Sequence, residues 1–102
     1  MGIIEEATRL HENGFNCAQS VLCACGKYTG LDDDTALALS AGFGGGVRCG
    51  EICGAISGAV MAIGMAYPFA DASDAKAKER IAALTRECTG RFENEYGCVR
   101  CC

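Results

Sequence analysis

Residues 48–64 read RCGEICGAISGAVMAIG, and the reading of this stretch decides the fold. Gly50, Gly54 and Gly58 recur every four positions, with Ala55, Ala59 and Ala62 beside them. Residues four apart lie on one side of a helix, so these positions form a flat strip of hydrogens and methyls that a second helix can approach very closely. The pattern predicts a helix from about Glu51 to Tyr67, stopped by Pro68. Ile52 to Ala70 carries no charge and is long enough for a membrane span. It holds three Gly, Ser57 and Pro68, however, and is flanked by Glu51 and Asp71 rather than by Lys or Arg anchors. A buried central helix is the better reading, and no membrane span is expected.

Working outward from this stretch, GFGGG at 42–46 is a flexible break before the central helix. Upstream, Ile4, Ala7, Leu10 and His11 fall at helical spacing, so 3–13 is predicted as a helix ended by Gly14. Asn16 is an N-cap for a second helix, Cys17 to Tyr28, ended by Gly30. Asp32, Asp33 and Asp34 place negative charge at the start of a third, through about Ala41, where the helix dipole favours it. Downstream, a fifth helix is predicted from about Ser73 to Tyr96, with Ile81, Leu84, Thr85, Cys88, Phe92 and Tyr96 as its buried stripe and Gly97 as its C-terminal cap. The expected architecture is all-α: a single compact bundle of about five helices, one domain over 1–102, with a glycine-rich loop before the central helix. Composition agrees. Half the residues are hydrophobic but only four are Phe and three Tyr, with no Trp, a mix that suits close-packed helices better than a sheet.

Nine basic residues against 13 acidic ones give a net charge of −4, and no Lys/Arg cluster occurs, which argues against a nucleic-acid partner. The start, MGIIEEATRLHENG, is acidic and amphipathic and lacks the basic and apolar segments of a signal peptide. The chain nevertheless carries nine cysteines, an odd number. Together these features predict a cytoplasmic protein with mostly reduced thiols, redox-active or metal-binding rather than disulfide-stapled.

Cys17 and Cys53 are each expected in the first turn of a helix, where unpaired N–H groups and the dipole favour the reactive thiolate. Cys49, four residues before Cys53, either joins it in chelating a metal or is a spectator. Cys98, Cys101 and Cys102 form C-x-x-C-C, which either closes a small redox disulfide, supplies metal ligands or is inert. Cys23, Cys25 and Cys88 sit in apolar surroundings and read as core cysteines. His11 reads as a partner for a helix C-terminus, and the Asp32–Asp34 run as a helix start rather than a metal site. GFGGG has neither the Lys nor the strand of a phosphate loop.

Three segments, GFNCAQSVL (14–22), GFGGGVRCGEICGAISGAVMAIG (42–64) and FENEYGCVRC (92–101), resemble the redox-active family named for its C…GCAxxG…C…C pattern. The central motif here is C-G-A-x-x-G at Cys53, Gly54, Ala55 and Gly58. The resemblance implies an all-helical bacterial or archaeal protein, often of anaerobes, with four signature cysteines. By position three of these are Cys17, Cys53 and Cys98; the fourth falls on Cys101 or Cys102, or has no counterpart. Some relatives are linked to cytochromes with haem between subunits, but without C-x-x-C-H haem is not carried over.

Three functions compete. The first is thiol-based redox or electron transfer of oxidoreductase type: Cys53 is the reactive thiolate, Cys17 or Cys98 resolves it, and a redox partner protein or small thiol approaches past Gly44, Gly45, Gly46 and Gly54. The second is a zinc or iron–sulfur site with ligands drawn from Cys17, Cys49, Cys53, Cys98, Cys101 and Cys102. The third is a helical interaction module whose glycine strip packs a homodimer.

Overall fold

The computed structural model describes residues 2–100. Its six helices are α1 (Ile3–Glu12), α2 (Cys17–Ala24), α3 (Gly26–Thr29), α4 (Asp33–Ser40), α5 (Gly54–Ala66) and α6 (Ala75–Tyr96). The described residues contain no β-strand, only an isolated antiparallel bridge between Ile52 and Arg100. The molecule is all-α, as its composition and periodicity predict.

The sixth helix arises from a break. The predicted second helix splits at Cys25, whose backbone (φ −87°, ψ 14°) leaves the helical region. A single further turn, α3, follows and ends at Gly30 with φ +73°. α4 begins as its acidic start predicts: the Asp32 carboxylate accepts from the Thr35 N–H at 3.1 Å and the Thr35 hydroxyl at 2.7 Å. These bonds hold the Asp32 carboxyl below its ordinary pKa, the hydroxyl bond contributing most.

α2 packs against α1, α4 and α5 and forms the middle of the molecule. Ala18 and Leu22 have no exposed surface. Leu22, Cys23, Leu10, Ala36 and Ala62 make the buried cluster, with Phe15, Cys25, Leu31, Leu37 and Met61 packed around it. The glycine strip faces α2 of the same chain. A Cβ on Gly58 would stand 2.8 Å from the Ala18 carbonyl oxygen and 3.1 Å from the Val21 Cβ. At Gly54 and Gly58 the strip is therefore filled by α2 of the same molecule, while Gly50 lies outside the helix.

Two expectations need correction. α5 starts at Gly54 rather than Glu51, because Gly50 adopts φ +73° and Ile52 extends to pair with Arg100. Cys53 is consequently the N-cap of α5 rather than a member of its first turn. On α6, no residue is buried. Ile81, Leu84, Thr85, Cys88 and Phe92 are half-buried and Tyr96 is 67% exposed, since α6 rests mainly on α5 alone.

Candidate functional site

The site is built around the start of α2. Asn16 and Gln19 form a reciprocal cap: the Gln19 N–H donates to Asn16 Oδ1 at 2.9 Å and the Asn16 N–H to Gln19 Oε1 at 3.1 Å. Both amides reach further. Asn16 Nδ2 donates to the Ala41 carbonyl at 3.0 Å and Gln19 Nε2 to the Leu37 carbonyl at 3.1 Å. The first residue of α2, Cys17, is thereby fixed against the segment that follows α4.

That segment turns back on itself through 44–50. Gly45, Gly46, Val47, Arg48 and Gly50 all have positive φ, and the Glu51 N–H closes the turn on the Gly46 carbonyl at 3.0 Å. For Val47 (φ 58°) and Arg48 (φ 62°) this region is costly, on the order of 1–2 kcal/mol each. Two of the glycines expected to admit a partner also have an internal reason. A Cβ on Gly44 would lie 2.6 Å from the Asn16 side chain, and one on Gly46 2.5 Å from the Glu51 nitrogen. Only at Gly45 is the space nearly open, the nearest atom being Arg48 Cδ at 4.0 Å. Cys49 is exposed on this turn, and its thiol donates to the Gly46 carbonyl at 3.4 Å.

Cys53 meets two other parts of the chain. Its N–H donates to the Val99 carbonyl at 2.8 Å, beside the Ile52–Arg100 bridge, so Cys98–Arg100 runs along the head of α5. The next residue, Gly54, touches α2: a Cβ there would sit 3.3 Å from Cys17 Cβ and 3.1 Å from the Ala18 nitrogen. The fold thus gathers Cys17, Cys53 and the Cys98 segment at one end of the α2–α5 pair. Cys17 and Cys53 are both half-buried thiols, and Cys98 is disulfide-bonded. Cys101 and Cys102 lie outside the described residues. Among the described residues no three His, Cys, Asp or Glu side chains are grouped to hold a metal ion.

Cys17 opens onto a groove of ≈320 Å³, lined by His11 and Glu12 of α1, Ser20 and Val21 of α2, and Ala55 of α5. His11 Nδ1–H donates at 3.1 Å to the Phe15 carbonyl, in the turn beyond α1, rather than to a carbonyl of the helix's last turn. The remaining cysteines are poor nucleophiles or peripheral. Burial, aided by a 3.4 Å hydrogen bond from the thiol to Asp33 Oδ1, pushes the Cys23 pKa up to about 11. Burial also raises that of Cys25. Cys88 is half-buried on α6. Asn16 as the residue that ties the site together was missed in the sequence; its N-x-x-Q spacing to Gln19 was the available signal.

A small all-helical, cysteine-rich protein with two thiols at abutting helix starts is defined by this geometry. Residues 15–102 match the family described as "Putative redox-active protein (C_GCAxxG_C_C)", and the chain belongs to that family. No curated protein and no solved structure matches it. No helix among the described residues is long and apolar enough to cross a membrane.

Proposed function

We propose that the protein is a cytoplasmic thiol–disulfide carrier in which Cys53 and Cys17 form a reversible disulfide. The observation that supports this most is the close approach of the two helix starts: a Cβ added to Gly54, the residue after Cys53, would stand 3.3 Å from Cys17 Cβ. Disulfides need Cβ atoms about 3.5–4.5 Å apart, a separation that neighbouring helix starts can supply. The co-reactant is a disulfide, in a partner protein or a small thiol compound. Cys53 sulfur, as thiolate, attacks one sulfur of that disulfide; its S–S bond breaks and the other sulfur leaves and takes up a proton. Cys17, as thiolate, then attacks the Cys53 sulfur, releasing the second partner sulfur, which is also protonated. The partner gains two electrons and two protons, and the Cys17–Cys53 pair loses them.

The test is equilibration of anaerobically prepared protein in graded glutathione buffers, followed by thiol trapping and peptide mapping. Besides the thiols of the Cys98 disulfide, two are expected to disappear together and map to Cys17 and Cys53. Cys17→Ser is expected to leave Cys53 as a persistent mixed disulfide with the buffer thiol. Mapping of the bond to Cys49, or stoichiometric iron or zinc in the anaerobic protein, overturns the reading.

A further inference from the structure

One face of the molecule is left without a partner. α6 has no buried residue, and beside it a groove of ≈500 Å³ is lined by Phe43, Val47, Ile52, Ile56, Val60 and Thr85. Val47 and Ile52 are 51% and 41% exposed there. The surface area agrees with an uncovered face. A folded monomer of 10.6 kDa is expected to expose about 5,500 Å². This chain exposes 6481 Å². The excess is close to the roughly 800 Å² that each partner buries in a stable complex of ordinary size.

The charges of α6 indicate what covers it. Residues 75–86 carry Lys76, Lys78, Arg80 and Arg86 against Glu79, a net +3; residues 87–96 carry Glu87, Glu93 and Glu95 against Arg91, a net −2. A helix with opposite halves is complementary to a copy of itself laid antiparallel, which is the arrangement a two-fold axis produces. We propose that the α5–α6 face is covered by a second copy of this chain, the two α6 helices running antiparallel across the axis. The groove, with Thr85 and Thr89 on its α6 side, then closes against its counterpart. With the crossing near Thr85 and Arg86, Lys78, which shares the groove side of α6 with Thr85 and Thr89, lies towards Glu93 of the second copy. This surface is distinct from the glycine strip, which α2 occupies, and the proposal stands independently of the thiol chemistry.

The test is sedimentation equilibrium of the reduced protein at micromolar concentration, with helix content followed by circular dichroism. The wild type is expected at twice 10.6 kDa. Lys78→Glu is expected to weaken the dimer about threefold or more at low salt without loss of helix. Adding Glu93→Lys to the same chain is expected to restore it. A monomeric wild type overturns the proposal, including the case in which a different protein covers this face. A dimer indifferent to the first reversal, or one that the second does not restore, overturns it as well.

Discussion

At the residue scale, Asn16 joins more of the site than any other side chain. It caps α2, receives the Gln19 N–H, and ties the helix to Ala41 across 25 positions of sequence. Asn16→Ala is expected to cost about 1–2 kcal/mol in urea unfolding, through the lost cap. In the same variant the Cys17–Cys53 disulfide is expected to form more slowly, because the head of α2 is no longer held. The capping role was legible in the sequence; the bond to Ala41 was not, since nothing local announces a partner that distant. Arg48 poses the opposite case. Its φ of 62° is a conformation glycine adopts without steric cost, so Arg48→Gly is expected to raise stability by about 1 kcal/mol in the same assay.

At the element scale, helical glycines divide into two kinds. A methyl on Gly58 meets the Ala18 carbonyl oxygen at 2.8 Å, a backbone atom that cannot rotate away, whereas a methyl on Gly90 meets nothing within 4 Å. Gly58→Ala is expected to destabilise by about 1–3 kcal/mol through overpacking. Gly90→Ala is expected to stabilise by about 0.5–1 kcal/mol through helix propensity alone. Thermal unfolding of the two variants checks the contrast, and equal signs would refute it. The glycine spacing made the close approach of a helix readable from sequence, and four of the five expected helices appear near their predicted positions. The identity of the approaching helix was not readable, because α2 and a second copy present similar small-residue faces. The break at Cys25 was also hidden, since no Pro marks it. The late start of α5 depends on the pairing of Ile52 with Arg100, a contact nearly half the sequence away.

At the scale of the whole molecule, ionisation of the core limits stability in alkali. The Cys23 thiol has an ordinary pKa of 9.0 and resists ionisation until about 11 in the fold. Between these values the unfolded chain has released the proton while the folded one retains it, so stability falls as pH rises through that window. The contribution is fully present below pH 9.0. Cys23→Ala, compared with wild type under reducing conditions at both ends of the window, is expected to show a shallower fall. The difference should be on the order of 1–3 kcal/mol, and parallel profiles would remove Cys23 as the cause. The gathering of Cys17, Cys53 and Cys98 belongs to this scale too. Each could be singled out along the chain, but their proximity arises only when α2, α5 and the 98–100 segment have all docked.

The hydrogen bond from the Cys53 amide to Val99 has a consequence in time as well as in space. Helical turns and the α2–α5 contact close over shorter stretches of chain, whereas this bond must wait for α6 to form and fold back. The site is therefore assembled late and opened early: amide hydrogens at Ile52 and Cys53 should exchange with solvent well before those of Leu22 and Cys23 in the middle of α2. A thiol that needs a visitor would be reached through such brief openings, so the lifetime of one backbone hydrogen bond would set how often the protein can react.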